Sequence, residues 1–370
     1  MKKTFDPRNI AFEKALNFIK NCLSSDILSF QSSFLHNDPK VSVVIPTYNC
    51  EKYILRAIKS IQYQNISNVE IILVDDHSTD NTTNLIKKIQ DRDYRIKIIQ
   101  NEKNMGILYS RSIGVIYSKG KYIFTLDNDD LFLNNDIFDT CINLAEEGNF
   151  DLIEFMAISN RNRNENLLSN KIKDSKFSHS EPIILFQPEL GRYPIPSRES
   201  LGSYGLKDIF LWGKCIKSEI YKNVLNKLGA NRYTRFMIRY EDILMNYMIF
   251  NIAQSFIFIK KYGIYHIERI GSATAIGRKK VSRNTNLLYL LDIVIDFSQN
   301  NINNKKLVVH LIIYYLTLKN VKRTLTSNDY NMELIISCIK RVLNSKYISS
   351  KYKAIVRKVI KKITFIKNFD

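Results

Sequence analysis

The 370-residue sequence predicts an α/β fold with a doubly wound sheet flanked by helices. Two observations lead to this prediction. Short apolar runs alternate with amphipathic helical patterns from residue 41 to residue 126, as strands and helices do in βαβ units. Polar and acidic residues directly follow three of these runs, and ligand sites in doubly wound sheets lie at the carboxyl ends of the strands. The sequence thus also predicts which edge of the sheet carries a site.

The apolar runs and the residues that end them define the elements in order. Residues 41–45 form an apolar run that Pro46 stops, which is typical of a buried parallel strand. The second run ends at Asp75 and Asp76, and residues 78–80 are expected to cap the helix that follows. The predicted strands cover residues 41–45, 70–74, 96–99 and 122–126, and the predicted helices cover 53–61, 78–89 with the cap included, and 106–118.

The chain changes character on both sides of this alternation. Residues 1–39 hold one amphipathic pattern and are predicted to form an N-terminal helical extension. The main α/β domain is predicted over residues 40–275, and from about residue 160 it becomes rich in Asn, Ser and Lys and is punctuated by prolines, as loops are. Residues 276–370 return to helical patterns and are predicted to form a basic helical C-terminal region.

The charge of the chain indicates an anionic partner. Lys and Arg number 55 against 36 Asp and Glu, which gives a formal net charge of +19. Nucleic acid, an acidic membrane surface and a phosphorylated substrate all stay open on charge alone. Residues 301–370 hold 15 Lys or Arg against 3 Asp or Glu and so supply most of this excess. Their amphipathic pattern suits an anionic lipid surface, and a helix packed on its own domain is the alternative.

Several classes of protein are disfavoured by the composition. No run approaches the roughly 18 uncharged apolar residues of a membrane-spanning helix. Asp6 and Glu13 interrupt the apolar stretch that a secretory signal needs, so we expect a cytoplasmic protein, with peripheral attachment at the inner face of the cell membrane left open. The five cysteines show no CxxC spacing, which favours buried free thiols over a disulfide framework or a zinc site.

An acidic cluster directly follows the fourth predicted strand, with the sequence Asp127-Asn128-Asp129-Asp130. Carboxylates that emerge together at one strand tip repel one another unless a cation is present. Their hard oxygen atoms suit Mg²⁺ or Mn²⁺ bound to a diphosphate. A solvated acidic turn or a helix N-cap is the alternative for this pattern taken alone.

Four motifs in fixed order decide between these interpretations. They are residues 41–49 (VSVVIPTYN), 74–80 (VDDHSTD), 104–106 (NMG) followed by Arg111, and the acidic cluster. Together they resemble the family-2 glycosyltransferases of the GT-A fold, a mixed sheet flanked by helices. The resemblance covers residues 40–160 and extends more loosely to about 275. It implies a catalytic domain with a nucleotide-sugar-binding half over 40–160 and an acceptor half over 161–275.

The resemblance also implies the residues that bind the nucleotide-sugar donor. Asp76 would accept a hydrogen bond from the base, usually uracil, Asp127 would lie beside the ribose, and Arg111 would close on the donor. Asp129 would bind Mn²⁺ or Mg²⁺ between the two phosphates. The alternative for Arg111 is a surface charge. Asp75 is a further candidate for this site, and its alternative role is to cap the following helix. The full donor set is Pro46, Thr47, Tyr48, Asp76, Arg111, Asp127 and Asn128.

A second carboxylate motif resembles the catalytic base of these enzymes. Asp242 stands at the position of the base that removes the acceptor proton, and Glu241 would support it. The alternative is ordinary placement of acids at a helix N-terminus. The preceding segment 211–215 (LWGKC) resembles the one that usually comes before this motif. His266 would face the diphosphate or the metal, with a structural histidine as the alternative.

The resemblance implies an inverting glycosyltransferase that moves a sugar from a nucleotide-sugar, with UDP as the expected nucleotide, onto a hydroxyl of a glycan or lipid-linked acceptor in bacterial surface polysaccharide or lipopolysaccharide synthesis. A metal-dependent nucleotidyltransferase is one alternative, although a Gly-rich phosphate loop is missing after the first strand. A basic nucleic-acid-binding protein is the other. No nucleic-acid partner is expected, because the basic residues concentrate outside the motif-bearing domain.

Overall fold

The computed structural model describes most of the predicted α/β domain, and the described ranges are residues 38–160, 173–174, 183–186, 211–234, 236–237 and 240–267, with isolated helical positions from 286 to 357. The predicted N-terminal helix and nearly all of the C-terminal region lie outside these residues, so the boundaries at 39/40 and 275/276 stay predictions. The chain divides into two compact units, one of residues 1–187, 210–236 and 252–270, the other of 188–209, 237–251 and 271–370.

The described residues form ten strands and seven helices. The strands are β1 Val41–Thr47, β2 Val69–Asp75, β3 Ile96–Gln100, β4 Tyr122–Thr125, β5 Leu131–Phe132, β6 Leu152–Asn160, β7 Lys173–Asp174, β8 Ile183–Phe186, β9 Lys214–Lys217 and β10 Ser255–Ile267. The helices are α1 Ile54–Gln62, α2 Thr82–Gln90, α3 Ile107–Tyr117, α4 Ile137–Glu147, α5 Ser218–Leu228, α6 Ala230–Tyr233 and α7 Glu241–Ile252.

One mixed sheet joins the strands in the order β3-β2-β1-β4-β9-β6-β10-β5, with β7 paired to β6 and β8 to β10. The first four strands of this order are parallel, as the βα alternation predicts. Strand β9 runs antiparallel to both β4 and β6, and β5 is antiparallel to β10. The predicted α/β class, with a mixed sheet flanked by helices, is confirmed.

The core explains why the central strands read as unbroken apolar runs. Every residue of β1 and β2 is buried, because helices cover the sheet. Below the acidic cluster, Phe124 packs on Phe138 with ring centroids 4.5 Å apart, and Phe132 meets Phe138 edge-on at 4.8 Å. Phe124 belongs to β4 and Phe132 to β5, so these rings hold the two strands that flank the cluster in the sequence. Aromatic packing therefore anchors both ends of the segment that carries the acids.

At the opposite ends of the strands, where β1, β2 and β4 begin, one buried carboxylate holds the chain together, that of Glu70 on β2. It accepts hydrogen bonds from the Ser42 hydroxyl at 2.5 Å, the Lys97 ammonium at 2.5 Å and the Lys119 N–H at 2.5 Å. The Gly120 N–H also donates to it at 3.1 Å. A side chain at Gly120 would meet the Ser42 backbone nitrogen at 2.5 Å, so only glycine allows this close approach. Glu70 thus fastens the turn between α3 and β4.

Three further expectations can be compared with the described residues. Cys50, Cys141 and Cys215 are buried free thiols, as the absence of CxxC spacing predicts. Among the described helices, none combines the length and the apolar character needed to cross a membrane. Helix α2 begins at Thr82, later than its predicted cap at 78–80, because Asp75 holds the intervening residues in a loop.

Candidate active site

Strands β1 and β2 end side by side at the carboxyl edge of the sheet. Thr47 lies opposite Asp75 in the register, and the Asp76 N–H donates to the Thr47 carbonyl at 2.8 Å. Pro46 and Thr47 are buried, whereas Tyr48 is 45% exposed. Among the described residues, the buried Thr47 hydroxyl has no hydrogen-bond partner. Pro46, Thr47 and Tyr48, which belong to the predicted donor set, therefore lie together at the carboxyl ends of β1 and β2.

Asp75 organises the loop that follows β2. Its carboxylate accepts hydrogen bonds from the Ser78 N–H at 3.2 Å, the Ser78 hydroxyl at 2.5 Å and the Thr83 hydroxyl at 2.5 Å. Asn49 holds the same loop from the end of β1, because its side-chain oxygen accepts from the Thr79 N–H at 2.8 Å. The three bonds to Asp75 hold the loop before α2, and the choice between a donor-site role and a helix cap for Asp75 stays a prediction.

Asp76 holds the start of α3. Its carboxylate accepts from the Met105 N–H at 2.7 Å, the Gly106 N–H at 2.8 Å and the Asn101 side-chain amide at 2.8 Å. A carboxylate offers about four lone-pair positions, so one acceptor position is left for a ligand. The predicted hydrogen bond from Asp76 to a base stays a prediction.

The acidic cluster brings three carboxylates together. One oxygen atom from each of Asp127, Asp129 and Asp130 lies within 4.8 Å of the others. The Asn128 side-chain amide donates to the Pro46 carbonyl at 3.0 Å, which ties the cluster to the loop after β1. The donor-binding and metal-binding residues predicted from separate motifs therefore share one edge of the sheet.

Two cations contact this cluster. The Arg111 guanidinium on α3 donates to Asp127 at 2.8 Å, and Arg111 is only 2% exposed, so the alternative of a surface charge is wrong. The His266 Nδ1 atom lies 3.0 Å from each carboxylate oxygen of Asp130. The Ile267 N–H also donates to Asp130 at 2.9 Å. Arg111 and His266 thus orient two of the three acids.

Burial and neighbouring charges shift the pKa values of Asp127, Asp130 and His266. Burial raises the pKa of the Asp127 carboxyl despite the Arg111 cation, and the Asp129 carboxylate raises it further. Burial also raises the pKa of Asp130 to about 6, despite the cationic partner. Burial alone would lower the pKa of His266, but Asp130 raises it to about 9, so the ring is cationic at neutral pH.

The donor atoms of the cluster fit a divalent cation. Carboxylate oxygens are the ligands that Mg²⁺ and Mn²⁺ prefer, and a diphosphate and water can complete the coordination shell. Asp127 and Asp130 each have a cationic partner at hydrogen-bond distance. Asp129 is the third member of the cluster and is half-buried.

Two residues near the cluster were not predicted to belong to the site. Trp212 stacks on His266 with ring centroids 5.2 Å apart. Arg56 on α1 donates to the Asp129 carbonyl at 3.4 Å. The sequence signal for Trp212 is the segment 211–215, which was interpreted only as a marker of the motif that follows it. For Arg56 the signal is its four-residue spacing from Ser60 in the helical pattern.

Comparison with known proteins identifies the domain that carries this candidate site. Residues 42–191 match the sequence model of glycosyl transferase family 2. This part of the chain is a family-2 glycosyltransferase domain. The domain contains the β1 and β2 loops, Arg111 and the acidic cluster, so the family resemblance and the transferase class of enzyme are confirmed.

Curated relatives of this glycosyltransferase domain are matched over part of their length. An uncharacterized glycosyltransferase of Rickettsia conorii is 37% identical over 147 residues, which cover 40% of this chain and 22% of that protein. The chondroitin synthase of Pasteurella multocida is 36% identical over 116 residues, 31% of this chain and 12% of that protein. The chain thus spans less than a quarter of either relative.

Solved structures share the fold of the glycosyltransferase. The crystal structure of S. aureus TarS residues 1–349 in complex with UDP-GlcNAc has a TM-score of 0.62 and 17% identity, with 88% of both chains covered. At this identity the likeness concerns the fold alone. It confirms the predicted GT-A fold.

The predicted base of the glycosyltransferase lies at the start of α7. Glu241 is buried and Asp242 is half-buried in the first turn of that helix. Both belong to the second compact unit, whereas the acidic cluster belongs to the first. Their catalytic assignment stays a prediction.

Proposed function

We propose that this domain is an inverting glycosyltransferase that moves a sugar from a UDP-sugar to an acceptor hydroxyl with the help of Mn²⁺ or Mg²⁺. The observation that carries the proposal is the acidic cluster, which lies at the carboxyl edge of the sheet and is tied to the loop after β1 by the hydrogen bond from Asn128 to Pro46. This hydrogen bond supports the proposal, because it links the residues proposed for a diphosphate to the loop proposed for a base.

The loop after β1 supplies groups that suit a nucleotide base. The exposed Tyr48 ring offers a stacking surface for a base. Asp76 retains one acceptor position for a base N–H. The UDP-GlcNAc bound in the TarS structure, which shares the fold, supports a uridine nucleotide as the donor.

The acidic cluster supplies the groups that suit a metal-bound diphosphate. Asp129 would hold Mn²⁺ or Mg²⁺, and Asp127 would lie beside the ribose. A bound divalent cation offsets negative charge on a leaving diphosphate. Arg111 keeps the Asp127 carboxylate in one orientation through its 2.8 Å ion pair, and His266 does the same for Asp130 at 3.0 Å.

The transfer itself needs one base. In the proposed reaction the acceptor oxygen attacks the anomeric carbon from the side opposite the diphosphate, a new C–O bond forms, and the bond to the diphosphate breaks. Asp242 would take the proton of the acceptor hydroxyl, and Glu241 would support it. Attack from the opposite side inverts the anomeric configuration.

The acceptor and the biosynthetic process are proposed from a curated relative and from the charge of the C-terminal region. A chondroitin synthase among the relatives supports a sugar hydroxyl as the acceptor, on a glycan or on a lipid-linked glycan. We assign the reaction to bacterial surface polysaccharide or lipopolysaccharide synthesis. The basic C-terminal region would then hold a cytoplasmic enzyme at the inner face of the membrane.

Thermal unfolding with a panel of nucleotides tests the proposed donor. Ligand binding to the folded state raises its stability by RT ln(1 + [L]/Kd), or about 2.7 kcal/mol at a ligand concentration of 100 Kd. We expect UDP and one UDP-sugar to raise Tm when Mn²⁺ is present and to have a smaller effect in EDTA. Equal shifts with ATP, or no shift with any uridine nucleotide, would contradict the proposed donor.

A further inference from the structure

Helix α1 and the turn after it carry three polar side chains at four-residue intervals, those of Arg56, Ser60 and Gln64. Residues spaced by four lie on one face of a helix. The rest of α1 is largely apolar, and Ser60 and Gln64 are buried. We call these three residues the polar row. The polar groups of Ser60 and Gln64 require hydrogen-bond partners, because both residues are buried.

Each member of the polar row contacts the segment that continues from the acidic cluster. Arg56 donates to the Asp129 carbonyl at 3.4 Å, and the Phe132 N–H donates to the Ser60 hydroxyl at 3.1 Å. The Gln64 side-chain amide donates to the Asn134 carbonyl at 2.5 Å. Successive members of the row therefore contact successive parts of residues 129–134, and all three contacts are to backbone atoms.

The same segment is held on its other side by β10. The Leu133 N–H donates to the Gly263 carbonyl at 2.9 Å, and Asp130 accepts from the Ile267 N–H at 2.9 Å. The Phe132 N–H and the Asn134 carbonyl, in contrast, form hydrogen bonds with Ser60 and Gln64 of the polar row. The backbone that carries the acids is thus fixed from two directions.

We propose that Arg56, Ser60 and Gln64 are positioning residues for the metal site, because they fix the backbone from which Asp129 projects. The proposal rests on the proposed metal-dependent function. Helix α1 also begins shortly after the loop of Pro46, Thr47 and Tyr48, which is proposed to bind the base. The same helix therefore follows the base loop in the chain and contacts the loop proposed to bind the metal. Metal affinity depends on the orientation of the ligands, and groups that hold ligands in place contribute to it.

A matched pair of substitutions on one helix tests this role. Gln64→Met removes the hydrogen bond to the Asn134 carbonyl. Gln62→Met is the control, because Gln62 is also buried on α1 but its amide donates to Asp93 at 2.8 Å, away from the acidic cluster. Both variants should lower Tm. Only Gln64→Met should weaken Mn²⁺ binding, by about tenfold.

The measurement is the concentration of free Mn²⁺, followed by electron paramagnetic resonance during titration of the full chain in the presence of UDP. Arg56→Gln, at a half-buried position, provides a second test if Gln64→Met does not fold. Equal Mn²⁺ affinity in wild type, Gln64→Met and Arg56→Gln would overturn the proposal and leave the proposed function standing. If the wild type takes up no Mn²⁺, the metal assignment fails and the proposal fails with it.

Discussion

The indole ring of Trp212 stacks on the imidazole ring of His266, with centroids 5.2 Å apart and planes inclined by 27°. His266 in turn contacts Asp130, the neighbour of Asp129. Trp212 is the single tryptophan of the chain. Its fluorescence therefore reports on the acidic cluster without an added label. Paramagnetic Mn²⁺ bound at the cluster should quench that fluorescence.

The first prediction concerns Asp129 as the metal ligand. Asp129→Ala should abolish the Mn²⁺-dependent quenching of Trp212 and lower the rate of transfer by about 100-fold or more, because charge on the leaving group is no longer offset. The fold should persist, since Asp129 is only half-buried. Asp91→Ala, at an exposed carboxylate at the end of α2, is the control. Full activity in Asp129→Ala, or in wild type with excess EDTA, would contradict the assignment.

The second prediction concerns Asp242 as the catalytic base. Asp242→Asn keeps the shape of the side chain but removes the proton acceptor, so kcat should fall by roughly 100-fold or more. The affinity for the donor should stay near that of wild type. Steady-state kinetics together with nucleotide binding separate the two effects. A variant that binds the donor poorly yet turns over at the normal rate would point to a structural role.

The sequence predicts the central sheet and the acidic cluster because both are local patterns. The run 41–45 reads as a buried strand from its own residues, and four aligned motifs identify the family. The partners of the acids are not local. Asp130 meets His266 at a separation of 136 residues, and Arg111 meets Asp127 across 16 residues. Only the folded sheet shows that these residues are neighbours.

Residues with two chemically reasonable roles were the hardest to assign from sequence. Asp75 and Asp76 are adjacent acids at one strand end, yet Asp75 holds the loop after β2 and Asp76 holds the start of α3. Strand alternation points successive side chains to different sides, so adjacent acids meet different partners. The polar row of α1 was missed because a helical pattern shows which residues share a face, but not what that face contacts.

The third prediction concerns the stability provided by Glu70. Burial would raise the pKa of its carboxyl, but hydrogen bonds from Lys97, Ser42 and the Lys119 N–H outweigh burial and lower the pKa below 4.5. Glu70→Gln should lower the free energy of unfolding by about 2–4 kcal/mol at pH 7, because charged hydrogen bonds are lost in a buried site. Denaturant unfolding measures this change.

The pH dependence of that loss follows from the direction of the shift. A lowered pKa in the folded state means that ionised Glu70 stabilises the fold fully above the unfolded-state pKa. The contribution disappears as pH falls through the folded-state pKa, so the difference between wild type and Glu70→Gln should shrink below about pH 4.5. Glu146→Gln, at an exposed ion pair with Lys121, should cost less than about 1 kcal/mol. A difference that is constant with pH would contradict the role of ionised Glu70.

The last prediction concerns the basic C-terminal region, where residues 353–367 carry six Lys or Arg among apolar residues. Each basic residue near an anionic surface contributes about 1 kcal/mol, so this segment should bind anionic vesicles, and salt should weaken the binding. Deletion from Ser350 onward should lower co-sedimentation with anionic vesicles and leave transfer to a soluble acceptor nearly unchanged. Neutral vesicles are the control. If the truncated chain unfolds, or if the full chain ignores anionic vesicles at low salt, these residues pack on the protein instead of on a membrane.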